Sequence, residues 1–155
     1  MKIREKDKLI INELLRNSRE SFVEISRKLD IADTTIHFRV KKLKEEGVIK
    51  RFTTEIDLNE FGLEFKALII FTIGNHILEE ISIKRAKQLL DKLKKDKRIG
   101  FLSLSEDNKT IIALFVTNSQ DSFQKILENF KNNTDIANLQ VFILNSVEKY
   151  FIEGI

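Results

Sequence analysis

The stretch DTTIHFRVKKL, residues 33–43, places hydroxyl, imidazole, aromatic and cationic side chains around three aliphatic residues. At about 100° per residue, Ile36, Val40 and Leu43 fall within one narrow arc of a helix, so they are predicted to be buried. The remaining side chains then lie on the opposite face of this helix or on its flanks. Threonine methyls and an aromatic ring suit thymine methyl groups, and cations suit phosphates. The segment therefore predicts a helix that contacts DNA.

Two periodic segments come before this helix and predict two further helices. The first runs from Glu5 to Arg16, and its apolar stripe consists of Leu9, Ile10, Leu14 and Leu15, with Ile11 beside them. The second segment, SFVEISRKL, begins with Ser21 and has Glu24 three residues later, which is typical of a capping box. Its predicted inward residues are Phe22, Ile25 and Leu29. The four residues DIAD then connect it to the third helix, predicted from Asp33 to Glu46.

Gly47 is predicted to end the third helix. The following stretch VIKRFTTEIDL alternates and is rich in Ile, Val, Phe and Thr, so it predicts a small β-wing or connecting strand. Lys50 and Arg51 could reach phosphates from it. Two helices joined by a short turn, the second with a polar outward face, indicate a helix-turn-helix. For residues 33–46 alone, a solvated amphipathic helix is the alternative.

The charge distribution supports the nucleic-acid interpretation. Residues 1–51 contain 14 Lys or Arg and nine Asp or Glu, whereas residues 52–155 contain 13 and 15. The basic character is confined to the first third, as expected where a domain meets a polyanion. The absence of cysteine excludes disulfides and thiol chemistry. Neither a membrane span nor a signal peptide is predicted, so we expect a cytoplasmic protein that does not contact a membrane.

The remaining segments predict the order β-α-β-β-α-β. The strands are FKALIIFTI, RIGFLSLSE, KTIIALFVTN and LQVFILNSVEKYF, and the helices are ISIKRAKQLLDKLKK and SQDSFQKILENFKNN. Asp107 and Asn108 are expected to form the tight turn between the second and third strands. This order is ferredoxin-like, with both helices on one face of an antiparallel sheet. The fold class is therefore α+β, with a winged helix-turn-helix in 1–52, a hinge strand or linker in 53–63 and a ferredoxin-like domain in 64–155.

The predicted strands are apolar on both sides, as in ALIIF and IIALF. The two helices can cover one face only, so a second layer must cover the other. The same sheet from another copy of the chain would supply this layer and produce a symmetric homodimer. The alternative is that the N-terminal domain folds back over the sheet.

Along essentially its whole length, the chain resembles the Lrp/AsnC (feast/famine) transcription regulators. The positions that carry the resemblance are Thr34, Thr35, Ile36, His37, Arg39, Val40, Lys41, Leu43, Gly47, Val48 and Ile49. The resemblance implies a winged helix-turn-helix, a hinge, and a C-terminal domain that dimerises through its sheet. It also implies assembly to tetramers or octamers and an amino-acid effector that often binds between dimers.

Three positions depart from the family pattern. Phe38 stands where a polar or cationic residue is usual, and Ala32-Asp33 replaces a Ser-Pro-like helix start. The third departure is DNKT, residues 107–110, in place of the Gly-Asp-Tyr-Asp-like residues of members that sense amino acids. It lacks the glycine that would bring the backbone near a ligand, and Thr110 replaces the second acid. We therefore expect an altered or absent amino-acid response, with the effector-binding residues unknown.

The expected target is a near-palindrome whose half-sites lie about 34 Å apart. Expected base-edge contacts come from Thr34, Thr35, His37 and Phe38, and expected phosphate contacts come from Arg39, Lys41, Lys42, Lys50 and Arg51. Two of these have an alternative role: Arg39 in a salt bridge within the domain, and Phe38 in packing against the wing.

Two other function classes make different demands on the sequence. A tetrapyrrole decarboxylase-like enzyme would need several histidines or arginines around a cofactor, whereas the chain has only His37 and His76 and no acid pair with evident geometry. We therefore expect no enzyme activity and no cofactor or metal. An architectural, chromatin-like protein with little sequence preference would be distinguished by its ratio of specific to random DNA binding.

Overall fold

The computed structural model describes residues 3–75 and 77–147, which divide into two units, 3–56 and 57–147, each with its own hydrophobic core. His76 lies outside the described residues, as does the part of the last predicted strand beyond residue 147. Among the described residues, no helix has the length and apolar character needed to cross a membrane.

Three helices form the first unit: α1 (Glu5–Arg16), α2 (Phe22–Leu29) and α3 (Asp33–Glu45). Their buried core consists of Ile10, Leu14, Ile25, Ile31, Ile36 and Val40, with Phe22, Leu29 and Ile49 packed against it. The periodicity of α2 and α3 predicted these inward positions. In α1 the prediction of a wide apolar stripe was partly wrong, because Leu9 and Leu15 remain more than 40% exposed. The buried strip of α1 is narrower and consists of Ile10 and Leu14, with Leu9 and Leu15 beside it.

The ends of α2 and α3 follow from single residues. The Ser21 hydroxyl accepts a hydrogen bond from the Glu24 backbone N–H at 3.2 Å, which satisfies one unpaired donor of the first turn of α2. Asp30 has φ 51° and closes α2 in the left-handed conformation, which leaves only residues 30–32 between the two helices. Gly47 has φ 72° just after α3, where a residue with a Cβ would be strained.

The expected strand in the stretch that follows α3 is not formed. Residues 48–57, all of them described, contain no strand residue. A strand needs a hydrogen-bonded neighbour, and this segment is instead held by the Ser18 hydroxyl, which donates to the Thr53 carbonyl at 3.2 Å. The prediction of a small β-wing or connecting strand was therefore wrong in its strand conformation, although the segment does follow the helix-turn-helix.

The second unit has the predicted order β-α-β-β-α-β. Its elements are β1 (Phe65–Ile73), α4 (Glu79–Leu93), β2 (Ile99–Leu104), β3 (Thr110–Thr117), α5 (Gln120–Lys131) and β4 (Ile136–Leu144). All pairings in the sheet are antiparallel, in the order β2-β3-β1-β4. The ferredoxin-like arrangement is confirmed.

The last strand differs from its prediction at both described ends. β4 begins at Ile136, three residues before the predicted start, because Ile136 pairs with Ile73 and packs against the core. Its pairing with β1 ends where Leu144 lies opposite Lys66, and residues 145–147 are not in a strand. The sequence pattern alone does not show where the partner strand stops.

The two faces of the sheet have different side chains. On the helix side, the core contains Ala67, Ile69, Phe71, Ile111, Ala113 and Phe115, packed against α4 and α5. On the opposite side, the strand register aligns one residue from each strand in a row, in the order Phe101, Leu114, Leu68 and Phe142. We call this row the second sheet face. Its outer members, Phe101 and Phe142, are 52% and 49% exposed.

Candidate nucleic-acid interface

The helix α3 is anchored by the three residues predicted from its periodicity. Ile36, Val40 and Leu43 are at most 4% exposed. Their burial against α1 and α2 determines which side of α3 faces outward, since side chains three or four residues apart share one face. The opposite side of α3 therefore faces outward and can enter the major groove of DNA, which is wide enough for an α-helix.

Six of the nine predicted contact residues lie exposed on α3. They are Thr34, Thr35, His37, Phe38, Lys41 and Lys42. Phe38 is the most exposed hydrophobic residue of the helix, at 62%. The ring of His37 also meets the edge of the Phe22 ring, with the centroids 5.6 Å apart, so its orientation depends on α2. The structure brings these side chains onto one surface, and their contact with DNA stays a prediction.

The lysines of this surface have only weak partners within the helix. The Lys41 ammonium lies 4.0 Å from the Glu45 carboxylate, and that of Lys42 lies 3.7 Å from Glu46. Exposed pairs of this kind contribute at most about 1 kcal/mol, because water screens both charges. Phosphates can therefore replace the glutamates as partners of these ammonium groups.

Lys50 and Arg51 are exposed in the segment that follows α3. Near them, the ammonium of Lys44 lies over the ring of Phe52, 5.6 Å from its centroid. This cation–π contact ties the end of α3 to the segment after it. Sequence periodicity did not single out Lys44 or Phe52, and their proximity depends on the turn at Gly47.

Arg39 differs from the other eight predicted contact residues. Its side chain is only 14% exposed, and its guanidinium donates two hydrogen bonds to the carboxylate of Asp7 on α1, at 2.7 and 2.8 Å. Of the two roles expected for Arg39, this geometry favours the salt bridge within the domain. Asp7 was missed by the sequence analysis, because no local spacing relates a first-turn acid of α1 to a residue 32 positions later.

The turn of residues 107–110 also has a defined geometry. Asn108 has φ 56°, as the turn prediction required. The Asp107 carboxylate accepts hydrogen bonds from the hydroxyls of Ser105 and Thr110 and from the backbone N–H groups of Lys109 and Thr110. The Ser105 and Thr110 hydroxyls above all hold the pKa of Asp107 well below its usual range.

The helices α2 and α3, the short turn between them and the cationic outward face define a helix-turn-helix DNA-binding protein. A family model for winged helix-turn-helix DNA-binding domains matches residues 3–50. An uncharacterised HTH-type transcriptional regulator of Pyrococcus furiosus is 32% identical over 146 residues, covering 92% of this chain and 88% of that protein. The chain belongs to the Lrp/AsnC family of transcriptional regulators.

Solved structures agree with this family and fold. The Pyrococcus furiosus regulator, described as a member of the AsnC family, superposes with a TM-score of 0.75 at 28% identity, over 96% of this chain and 93% of that one. AsnC of E. coli gives 0.79 at 20% identity, over 99% of both chains. A Neisseria meningitidis regulator solved as an L-Met complex gives 0.76 at 14% identity, over 96% and 93%. Like its relatives, the protein is a DNA-binding regulator of transcription and not an enzyme.

Proposed function

We propose that the protein is a sequence-specific regulator that inserts α3 into the major groove. The observation that carries this proposal is the outward face of α3, where exposed Thr34, Thr35, His37 and Phe38 are mounted on a buried aliphatic anchor. Hydroxyl, imidazole and aromatic side chains at this position can meet base edges and thymine methyl groups. The relatives from Pyrococcus furiosus and E. coli belong to cells whose DNA lies in the cytoplasm, so we propose that this protein acts there.

The cations have a different role in this proposal. Lys41, Lys42, Lys50 and Arg51 hold phosphates, because all four are exposed and the ion pairs of Lys41 and Lys42 are weak. Phosphate contacts fix the register of a protein on the duplex but carry no direct sequence information. Sequence preference then depends on Phe38 and the residues at the start of α3.

We further propose that two copies pair through the second sheet face. Its four apolar side chains lie in one row across all four strands, and half of Phe101 and of Phe142 is exposed. Such a row is suited to an identical row related by a two-fold axis. A dimer would place two α3 helices on successive major grooves about 34 Å apart, and two or four such dimers would form tetramers or octamers.

An amino-acid response is proposed to be altered or absent. The Neisseria meningitidis relative was solved with L-Met, so ligand binding occurs in proteins of this fold. Here the Asp107 carboxylate accepts four hydrogen bonds within its own turn, three at Oδ1 and one at Oδ2. A ligand ammonium would have to compete with these donors for the carboxylate. Calorimetry against the twenty amino acids should show no saturable isotherm, and one clear isotherm would contradict the proposal.

The main experiment compares Phe38→Ala with Lys42→Ala on a site first selected from random DNA and on unselected DNA. Phe38→Ala should weaken binding to the selected site by about tenfold, roughly 1–3 kcal/mol for one base contact, and leave random DNA nearly unchanged. Lys42→Ala should weaken binding to both DNAs and lower the salt slope by about one.

A matched control is Leu15→Ala, which removes an exposed apolar side chain from α1, a helix outside the helix-turn-helix pair. It should leave both affinities unchanged. Equal losses on both DNAs for the Phe38 and Lys42 variants would contradict the assigned roles. If the wild-type protein binds the selected site only a few times better than random DNA, the architectural alternative is correct.

A further inference from the structure

The helix α1 contains two buried carboxylates, Asp7 at 6% and Glu13 at 7% exposure. They are the buried charged residues among the described positions 3–56. Each pairs with a cation of the helix-turn-helix: Asp7 with Arg39 of α3, and Glu13 with Lys28 of α2. Buried charges weaken a fold unless they are paired, so two of them in so small a core need an explanation beyond packing.

The two ion pairs differ in whether they fix the orientation of their groups or only the distance between them. The Nε and Nη2 atoms of Arg39 donate in parallel to Oδ1 and Oδ2 of Asp7, at 2.7 and 2.8 Å. Two parallel bonds between planar groups fix the orientation of one group relative to the other. The Lys28 ammonium is shared between Glu13 at 3.2 Å and Glu20 at 2.6 Å, and its side chain is 52% exposed. An ammonium is a point charge, so this second pair holds distance but not orientation.

The carboxylate of Asp7 is itself fixed by its own helix. Its Oδ2 atom also accepts the Arg4 backbone N–H at 3.3 Å, as part of the capping box that starts α1. The Arg39 guanidinium therefore binds to a carboxylate that is fixed at the N-terminal end of α1. Rotation of α3 about its axis would break both hydrogen bonds between Arg39 and Asp7.

Such rotation matters for base recognition. Arg39 is adjacent to Phe38, and the aliphatic anchors Ile36 and Val40 are buried. Hydrophobic burial is non-directional, so it opposes separation of the helices more than rotation of α3 about its axis. A roll of about 10° at a side-chain radius of about 6 Å displaces a contacting atom by roughly 1 Å. A recognition surface has to be held within about 0.5 Å of its productive geometry.

We propose that Asp7 and Arg39 are positioning residues for base recognition, acting by fixing the rotation of α3 on α1. The proposal rests on the proposed function of α3 and extends it to a residue of α1 that touches no DNA. It assigns Arg39 to the interior of the domain and removes it from the phosphate contacts.

The experiment measures the ratio of affinities for the selected site and for random DNA in three single variants of the full-length chain. Asp7→Asn and Arg39→Lys should each lower this ratio about tenfold, because both lose the parallel pair of bonds, while random DNA affinity changes less than threefold. Glu13→Gln is the matched control, since it neutralises the other buried carboxylate of α1. Glu13→Gln should leave the ratio of affinities unchanged even if it lowers the melting temperature as much as Asp7→Asn or Arg39→Lys does.

A fourth variant, Asp7→Asn combined with Arg39→Gln, removes both charges and leaves no unpaired ion. Its salt slope should equal that of the wild type, whereas a slope lower by about one would show that Arg39 holds a phosphate. Circular dichroism should confirm folding at the binding temperature. If Asp7→Asn does not fold, Arg39→Lys still tests the proposal, because this variant keeps the positive charge and one hydrogen bond.

An unchanged ratio in Arg39→Lys, or the lower salt slope in the double variant, would overturn the proposal. These outcomes are distinguishable from failure of the proposed function. If Phe38→Ala also leaves the ratio unchanged, α3 does not read bases. If Phe38→Ala lowers the ratio and the Asp7 and Arg39 variants do not, only the positioning role is wrong.

Discussion

The outward face of α3 and the second sheet face use opposite chemistry. The first carries threonines, lysines and a single phenylalanine, whereas the second carries the apolar row from Phe101 to Phe142. A surface of the first kind remains hydrated and binds favourably to phosphates and base edges. A surface of the second kind associates favourably with another apolar layer, because water is excluded from between them. This difference underlies the two proposed roles, DNA recognition for the first unit and self-association for the second.

The two units also differ in their cores. The first unit combines a core cluster of six buried hydrophobic residues with two buried charges, the carboxylates of Asp7 and Glu13. The described part of the second unit has a core cluster of 13 buried hydrophobic residues and one buried charge, that of Lys66. A larger apolar core contributes more stability, whereas paired buried charges contribute orientation at little net gain. The following predictions test this contrast, beginning with the largest effect.

The substitution Phe142→Asp should abolish the proposed dimer, because it places a charge within the second sheet face. Light scattering should give at most half the wild-type mass. Affinity for the selected site should fall about a hundredfold or more, since the second half-site contact becomes intermolecular. Ile143→Asp is the control: this neighbour is similarly exposed, but its pairing with Ala67 places it on the helix side of the sheet. A Phe142 variant with an unchanged mass would contradict pairing through this face.

The substitution Phe71→Ala should destabilise the second unit by about 3–5 kcal/mol, because it removes a fully buried ring that packs on Phe130 with the centroids 4.8 Å apart. Hydrogen exchange should show lost protection in β1, β3 and β4 but not in α1–α3. Phe61→Ala, at a residue 67% exposed, should change stability by less than about 0.5 kcal/mol. Equal loss of protection in both units would show that they unfold together.

The substitution Gly47→Ala should destabilise the first unit by about 1 kcal/mol. The cause is the φ of 72°, since an added Cβ would meet no atom within 4 Å. Gly100→Ala is the counterpart in the second unit, where the added Cβ would make ordinary contacts with Val116 and Leu114 at 3.7 and 3.9 Å. Thermal melting should give a lower melting temperature for Gly47→Ala than for Gly100→Ala. A Gly47→Ala variant as stable as the wild type would mean that the turn after α3 can change its conformation.

The smallest expected effect concerns Asp96 in the second unit. The Arg98 guanidinium donates to the Asp96 carboxylate at 2.9 and 2.6 Å and holds the pKa of Asp96 below its usual value. The contribution of this pair is therefore present above the ordinary carboxyl pKa and is lost as the pH falls through the lowered folded value. Asp96→Asn should cost less than about 1 kcal/mol at pH 7, because half of the Arg98 side chain is exposed and water screens the pair.

Unfolding at pH 7 and at successively lower pH measures this difference. The gap between wild type and Asp96→Asn should narrow below about pH 4. Glu106→Gln provides a control for removal of one negative charge from the same unit. A gap that persists in strong acid would show that the asparagine acts through packing or the backbone instead of through charge.

Local pattern was sufficient for most elements of the fold. α1 and β1 occupy the predicted residues at both ends, because a run of apolar residues with one period is bounded by polar ones on each side. The start of β4 was three residues off, and residues 48–57 after α3 contain no strand. Both errors concern pairing, since a strand extends only as far as a neighbouring strand offers hydrogen-bond partners.

The sequence by itself determined that α3 has a buried side and a polar side, because helical periodicity is a property of neighbouring residues. It also determined the order of strands and helices and the location of positive charge. Only the tertiary structure decided that Arg39 turns inward to Asp7, since residues 32 positions apart meet through the packing of α1 on α3. It likewise decided that Phe101, Leu114, Leu68 and Phe142 form one row, because strand register arises from pairing between distant segments.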